Sequence, residues 1–409
     1  MNSESGVASG RKGKHGPFVA GVAAVILAVA AGATEPAPGS APAGWAHGPP
    51  QDPSFFPIAV WLQPPDKAGA YLAAGVNTYV GLWEGPTEEQ LAALKRAGMK
   101  LVCEQNEVAR RHLDDPTIVG WMHGDEPDNA QELPNHKGYG PPIAPEQIVK
   151  DYRRIRDADP ARPVLLNLGQ GVAWNDYIGR GVRRNHPEDY VAYVQGCDIA
   201  SFDIYPVVHD HPAVSGQLWF VAQGVERLRG WAGPGRTVWN CIECTRIGSP
   251  DRKATPHQVR AEVWMSLVRG SRGQIYFVHE WKPRFNESAL LADPEMLAAV
   301  TAINREVREL APVLNDPGPW SPVSVASANA AVPVAAMARG HDGGQYLFAV
   351  GMRDGSTSAG FTLSGLRGET PVEVLGEHRT LPARDGMFHD DFKPWDVHLY
   401  RLPAPERKP

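Results

Sequence analysis

Short β-type runs alternate with longer helical stretches between residues 57 and 314, and this alternation constrains the fold more than any other feature. Eight runs are predicted to be strands: Pro57 to Leu62, Thr78 to Trp83, Lys100 to Gln105, Ile118 to Gly124, Pro163 to Leu168, Ile199 to Pro206, Thr237 to Cys244 and Gln274 to Trp281. Eight β-then-α units predict an α/β fold, the (β/α)8 TIM barrel, in which the carboxyl ends of the strands form one functional face. A doubly wound sheet is the structural alternative, but no Gly-x-Gly-x-x-Gly follows a strand.

The pattern changes after residue 314. Helical periodicity stops at Asn315-Asp316-Pro317-Gly318-Pro319, and short β-type runs then alternate with Gly, Asp and Arg turns. We therefore predict a barrel over residues 55–314 and a small C-terminal antiparallel β-sandwich over residues 315–409.

The N-terminal region has the features of an export signal. Arg11, Lys12 and Lys14 precede an apolar and small-residue run from Phe18 to Ala33. Residues 1–33 are therefore predicted to be a signal peptide cleaved after Ala33, or else an uncleaved N-terminal anchor. Export to the periplasm, cell surface or medium follows, with no other membrane contact expected. Residues 34–54, rich in Pro, Gly and Ala, are predicted to form an extended linker.

Charge and cysteine content exclude some classes of protein. The formal net charge of -6, without a basic run beyond Arg11 to Lys14, gives no indication of a nucleic-acid partner. Four cysteines are too few for a disulfide scaffold. Cys241 and Cys244 have the spacing of a metal half-site, but residues three apart in a strand point to opposite faces. We interpret them as structural cysteines.

Two acidic residues follow the fourth predicted strand, in the sequence Gly124-Asp125-Glu126-Pro127. Pro127 restricts the backbone of Glu126 and favours an extended exit from the strand. If Asp125 and Glu126 share a partly closed site, repulsion and desolvation raise one pKa, as a proton donor near neutral pH requires. The alternative is a solvated acidic loop that includes Asp128.

A third carboxylate, Glu243, ends the seventh predicted strand among Trp239, Cys241 and Ile242. Such surroundings are unfavourable for an unpaired charge, so the group needs either a function or a buried partner such as Arg246. Two carboxylates from the ends of different barrel strands are what hydrolysis of a glycosidic bond requires. The sequence therefore predicts Glu126 and Glu243 as a catalytic pair on either side of a sugar bond.

Other strand ends carry polar or aromatic residues suited to substrate binding. Tyr205 is predicted to hydrogen-bond the strand-seven carboxylate, and Trp281 to form a surface on which a sugar stacks. Rim packing is the alternative for each. The further candidates for substrate contact are Asp203, Glu280, Asn167, Trp61 and Trp83.

A metal site is the competing hypothesis, because His209-Asp210-His211 and His123 could supply ligands. Metal-dependent amidohydrolase barrels place His-x-His at the end of the first strand, where this chain has Trp61-Leu62-Gln63. We predict no metal and no organic cofactor.

Taken together, the motifs after strands four, six, seven and eight resemble the clan A (β/α)8-barrel glycoside hydrolases, which include β-galactosidases, β-mannanases and cellulases. These motifs are Gly124-Asp125-Glu126-Pro127, Asp203-Ile204-Tyr205-Pro206, Glu243 and Trp281. The resemblance covers residues 57 to about 314 and rests on the order of motifs rather than on identity to one family.

The resemblance implies a retaining mechanism in which Glu126 is the acid/base and Glu243 the nucleophile. It also implies that Tyr205 orients Glu243 and that Trp281 stacks on the reacting sugar. Asp125 departs from the pattern, since clan members carry Asn there, and an ionised aspartate cannot donate a hydrogen bond.

The sequence therefore predicts an exported retaining glycosidase that acts on an oligosaccharide or polysaccharide. The first alternative is a non-catalytic carbohydrate-binding barrel. The second, less favoured, is a metal-dependent hydrolase. The sequence does not indicate which sugar is bound, or an oligomeric state.

Overall fold

The computed structural model describes residues 45–316, 318 and 322–402. The predicted signal peptide or anchor and most of the predicted linker lie outside these residues. Within them, no helix is both long enough and apolar enough to cross a membrane.

A closed parallel barrel forms the larger part of the structure. Its strands are β1 (Ile58–Trp61), β2 (Thr78–Val80), β3 (Lys100–Cys103), β4 (Ile118–Met122), β5 (Val164–Leu168), β6 (Ile199–Phe202), β7 (Thr237–Val238), β8 (Asn240–Glu243) and β9 (Gln274–Phe277). Segments β7 and β8 are halves of one barrel strand, interrupted at Trp239. Since β6 pairs with β7, β8 with β9 and β9 with β1, the ring is closed. The predicted (β/α)8 barrel is confirmed.

Helices surround the strands, which are buried on both faces. They are α1 (Ala68–Ala73), α2 (Glu88–Ala97), α3 (Glu107–Arg110), α4 (Pro145–Ala158), α5 (Tyr190–Tyr193), α6 (Trp219–Ala232), α7 (Pro256–Val268), α8 (Pro294–Glu309) and α9 (Ala311–Leu314). Helix α2 begins with a capping box, because the Thr87 hydroxyl accepts from the Gln90 amide and the Gln90 side chain accepts from the Thr87 amide.

Alternating residues of each strand fill the barrel and the layer between strands and helices. Val80, Trp239 and Cys241 belong to the interior cluster. Cys244 packs instead in the cluster formed with the helices. The prediction that Cys241 and Cys244 point to opposite faces is therefore confirmed, and both thiols are free and buried.

The C-terminal part is an antiparallel β domain. Its strands are β10 (Val323–Ser327), β11 (Val334–His341), β12 (Gly344–Gly351), β13 (Thr357–Leu363), β14 (Glu369–Val374), β15 (Arg379–Arg384), β16 (Met387–Phe392) and β17 (Val397–Leu402). They run in the order β10-β13-β16-β15-β14-β17-β12-β11. Phe361, Phe388 and Tyr400 pack in their own core, as expected for a β-sandwich.

The barrel and the sandwich are joined through helix α7. Trp264 on this helix is completely buried, and its ring lies 5.1 Å from that of Phe348 on β12. Arg260 donates to the Val397 carbonyl at 3.0 Å and forms an ion pair with Glu306 on α8. Strand β12 therefore covers the outer face of α7, which explains why this helix is buried on most sides.

The described part of the predicted linker also contacts the barrel. The His47 amide donates to the Ala161 carbonyl at 3.1 Å, and the Arg156 guanidinium lies 4.6 Å from the centre of the Trp45 ring. The Asn315 side chain donates to the carbonyls of Pro53 and Phe55. These contacts fasten residues 45–55 to the barrel surface.

Trp264→Ala should lower the free energy of unfolding by about 3–5 kcal/mol, because it removes a buried indole from the contact between the two domains. Chemical denaturation of the variant and the parent protein measures the change. Trp83→Ala, at a side chain that is 67% exposed, is the matched control and should be nearly neutral. Equal losses in the two variants would contradict the packing described here.

Candidate active site

The loop after β4 carries Asp125 and Glu126 on a constrained backbone. Glu126 has a φ of 42°, in the left-handed region that non-glycine residues rarely adopt. Its amide donates to the Asn167 carbonyl at 3.2 Å, which holds the loop against the end of β5. The extended exit predicted from Pro127 is wrong, because this tertiary contact overrides the local preference. Backbone strain of this kind is typical of functional sites.

Asp203, which follows β6, is the carboxylate that the structure brings to Glu126. The two side-chain carboxyl groups lie close enough to share a hydrogen bond when one of them is protonated. The Tyr205 hydroxyl donates to Asp203 Oδ2 at 3.2 Å. Tyr205 was predicted to orient Glu243, and the structure shows that it holds Asp203 instead.

Asp125 completes a cluster of three acids. Asn167 Nδ2 donates to Asp125 Oδ1 at 2.9 Å, while Asn167 Oδ1 accepts from the Ser201 hydroxyl at 2.8 Å. Ser201 on β6 therefore orients Asn167, and the Asn167 side-chain amide in turn holds Asp125. Asp125 is exposed, and Glu126 and Asp203 are partly exposed, so all three acids are accessible from the mouth of the barrel.

The shared environment raises the pKa of each acid. Desolvation by the surrounding protein raises the pKa of Asp125 to about 6, although Asp125 keeps solvent contact. Desolvation and the charge of Asp125 raise the pKa of Asp203 to about 7. The pKa of Glu126 rises well above its usual value through desolvation and the neighbouring charges of Asp203 and Asp125. The sequence predicted a raised pKa for one acid of this loop, and the surroundings raise the pKa of both Asp125 and Glu126.

Asp128 anchors the loop from beneath and is completely buried. Its carboxylate accepts from the Gly169 amide at 2.9 Å and from the Tyr190 hydroxyl at 2.8 Å, and it lies 3.9 Å from the Arg180 guanidinium. The alternative of a solvated acidic loop is therefore excluded for Asp128.

The sequence did not single out Tyr177 or Asn129. The Tyr177 side chain lies near the charges of Glu126 and Asp203 and near the Asn129 side chain. Gly169 also adjoins the site, since a Cβ there would come within 2.9 Å of Glu126 Oε1. These residues lie in the loops after β4 and β5, and only their proximity in the fold identifies them.

Glu243 does not join the cluster. It is completely buried, and its two oxygens accept from the amides of Val207 at 2.6 Å and Val208 at 3.1 Å. Its carboxyl lies within hydrogen-bonding reach of that of Glu262 on α7. The alternative of an ion pair with Arg246 is not found among the described residues, where Arg246 donates to the Pro250 carbonyl. These contacts give Glu243 no open face toward a sugar, and its predicted pairing with Glu126 is not formed.

A series of aromatic rings connects the acids to the surface. The Tyr205 ring lies 5.2 Å from that of Phe277, which stacks on Trp281 at 5.5 Å with an interplanar angle of 17°. Phe285 follows, 6.3 Å from Trp281. The indole of Trp281 is 47% exposed, so it can stack on a bound ring.

The remaining predicted contact residues occupy different places. Trp83 is exposed after β2, whereas Trp61 is 4% exposed and packs inside the barrel, which leaves it no face for stacking. Glu280 is half-buried, and its backbone forms bridges with Ile247 and Asn286.

The histidines of the metal hypothesis are used elsewhere. His123 bonds the Gly196 carbonyl at 2.8 Å, and His209 bonds the Gln170 side chain at 2.7 Å. His211 packs 4.6 Å from the Trp174 ring. Among residues 45–316, 318 and 322–402, no group of three or more His, Cys, Asp or Glu side chains is arranged to hold a metal ion.

Comparison with known proteins identifies the fold. No protein-family model matches the sequence, and no curated protein matches it either. Among solved structures, α-amylase from Geobacillus thermoleovorans, complexed with acarbose, has a TM-score of 0.56 at 10% identity over 88% of this chain and 99% of that chain. An AmyP variant in complex with maltotriose has a TM-score of 0.53 at 11% identity over 87% of this chain and 98% of that chain. The chain therefore has the fold of (β/α)8-barrel glycoside hydrolases.

Asp128→Asn should destabilise the protein by about 3 kcal/mol, because Arg180 and the Tyr190 hydroxyl would lose a buried anionic partner. Thermal and chemical unfolding measure the effect. The control is Asp176→Asn, since Asp176 pairs with Arg184 on the surface and contributes little. Unchanged stability of the Asp128 variant would contradict the anchoring role.

Proposed function

We propose that this protein is a glycoside hydrolase whose catalytic groups are Glu126 and Asp203. The observation that carries the proposal is the close approach of these two carboxyl groups after the carboxyl ends of β4 and β6. This end of a (β/α)8 barrel is where active sites of the fold lie. Glycoside hydrolysis needs one protonated and one ionised carboxyl group beside the scissile bond.

We assign the roles from the surroundings of the two acids. Desolvation and two neighbouring charges raise the pKa of Glu126 well above its usual value, so Glu126 is assigned as the proton donor and Asp203 as the carboxylate. Tyr205 donates a hydrogen bond to Asp203, which favours its ionised form. Asp125, oriented by Asn167, is placed to accept hydrogen bonds from sugar hydroxyls.

The reaction then proceeds in two displacements. In the first, a carboxylate oxygen of Asp203 bonds to the anomeric carbon while the glycosidic C–O bond breaks and Glu126 gives its proton to the leaving oxygen. In the second, ionised Glu126 takes a proton from water, the water oxygen bonds to the anomeric carbon, and the bond to Asp203 breaks. The product keeps the configuration of the substrate.

Carboxyl spacing supports retention over inversion. Retaining enzymes separate the two carboxyls by about 5–5.5 Å, and inverting ones by about 6.5–9.5 Å to admit a water molecule. We infer retention because the carboxyl groups of Glu126 and Asp203 lie next to each other rather than at the wider separation. Retention therefore stays part of the proposal, with Asp203 taking the role that the sequence assigned to Glu243.

Trp281 supplies a surface for the substrate. Its exposed indole continues the ring series from Tyr205, so a sugar beside Asp203 lies near an aromatic face. The two structures of similar fold were solved with maltotriose and acarbose. We therefore propose an oligosaccharide or polysaccharide substrate and place maltooligosaccharides first in a screen of chromogenic glycosides and polysaccharides.

We also propose that the protein is exported, on the basis of the charged residues Arg11, Lys12 and Lys14 before the apolar run of residues 18–33. Fractionation of the producing cells, with mass analysis of the mature N-terminus, tests this point. A protein that stays in the cytoplasm with residues 1–33 attached would contradict it.

On the best substrate of the screen, Glu126→Gln and Asp203→Asn should each lower kcat by about 10²–10⁴-fold, since each removes a group that acts in the transition state. Asp176→Asn serves as the control for the Asp203 substitution and should keep the activity of the parent protein. Steady-state kinetics of purified variants measures the effect. Turnover that persists in both variants at the level of the control would contradict the assignment, as would carbohydrate binding without any turnover in the parent.

A further inference from the structure

Helix α7 contributes a second carboxyl pair that the proposed chemistry does not use. Glu262 on this helix and Glu243 at the end of β8 are both completely buried. Their carboxyl groups lie close enough to share a hydrogen bond when one of them is protonated. Among the described residues, no group with its own hydrogen donates to either oxygen of Glu262. The pair therefore needs an explanation, because a buried carboxyl without a donor is unfavourable.

The other face of this pair holds the loop that follows β6. Glu243 Oε1 accepts from the Val207 amide at 2.6 Å, and Oε2 accepts from the Val208 amide at 3.1 Å. The same loop carries Asp203 and Tyr205 a few residues earlier. Glu243 thus anchors the segment that presents the proposed catalytic carboxylate.

Among the residues that the structure describes, no cation forms an ion pair with Glu243 or Glu262. Arg252 is the charged group that acts on Glu243, but its guanidinium donates to Ser215 at 2.7 Å, to Asp210 at 2.7 Å and to the Val208 carbonyl at 3.4 Å. Cys244, the remaining titratable neighbour, is a buried thiol. Two carboxylates in contact without a cation repel each other strongly, so the pair must retain a proton.

We propose that Glu262 is a positioning residue: a proton shared between Glu262 and Glu243 fixes the loop after β6, and through it the place of Asp203 and Tyr205. The link to Asp203 rests on the proposed function, whereas the shared proton does not. Since Glu262 supplies the hydrogen bond to Glu243, Glu243 keeps both oxygens directed at the Val207 and Val208 amides.

The proposal gives the protein a defined response to pH. Burial raises the pKa of Glu243 to about 7 and that of Glu262 well above its usual value of 4.5. The folded protein therefore binds more protons than the unfolded chain above pH 4.5, so stability falls as the pH rises through the folded pKa. Loss of the shared proton leaves two carboxylates that repel each other. Their repulsion releases the loop after β6.

Glu262→Gln tests the proposal, because an amide keeps a hydrogen-bond donor to Glu243 but cannot lose it as the pH rises. The Tm of the parent protein should fall between pH 6 and pH 9, and this fall should be smaller in the variant by on the order of 5 °C. At pH 9, hydrogen exchange of the peptide spanning residues 203–208 should be slower in the variant than in the parent. Glu309→Gln, at an exposed position of α8, is the control and should follow the parent.

A second variant separates the two glutamates. Glu243→Gln has one carbonyl oxygen for two backbone donors, so it should lower the Tm more than Glu262→Gln and should speed exchange of the 203–208 peptide at every pH. If Glu262→Gln fails to fold, Glu243→Gln and the pH dependence of exchange in the parent carry the test.

The proposal is overturned if Glu262→Gln and the parent lose Tm equally between pH 6 and pH 9. It is also overturned if the peptide spanning residues 203–208 exchanges equally fast in the variant and the parent at pH 9. Neither readout requires turnover. If Glu126→Gln and Asp203→Asn remain active while Glu262→Gln behaves as expected, the proposed function fails and the shared proton stands.

Discussion

The contact between the carboxyl groups of Glu126 and Asp203 is the interaction on which the account of this site depends. It brings two acids together without a cation between them, so the pair retains a proton and the pKa of Glu126 rises. The contact forms only because the closed barrel brings the ends of β4 and β6 to one mouth. Buried neutral partners, among them Asn167, hold the acids in place.

Hydrogen bonds, rather than ion pairs, also govern the second carboxyl pair. Glu243 and Glu262 lie between the seventh barrel strand, helix α7 and the loop after β6. The site thus contains two pairs of neighbouring carboxyl groups, one accessible and one enclosed. The enclosed pair supports the loop that carries Asp203. Glu243 therefore ends a barrel strand, as a catalytic glutamate would, although its side chain is buried.

The sequence predicted the barrel because a local pattern, a short β-type run followed by a helical stretch, is visible in the sequence eight times. It also identified Glu126, since an acid after a buried strand of a barrel lies at the mouth. Glu243 shows where this reasoning stops: a strand end gives a position along the barrel, but not which loop or helix encloses the side chain. The buried state of Asp128 and the proximity of Tyr177 likewise depend on contacts between loops, which no local pattern contains.

The most direct test of the central claim is to trap the glycosyl-enzyme with an activated fluorosugar of the preferred substrate class and to map the modified peptide by mass spectrometry. The account predicts a covalent sugar on Asp203 and none on Glu243, with no labelling of Asp203→Asn. A sugar attached to Glu243 would contradict it.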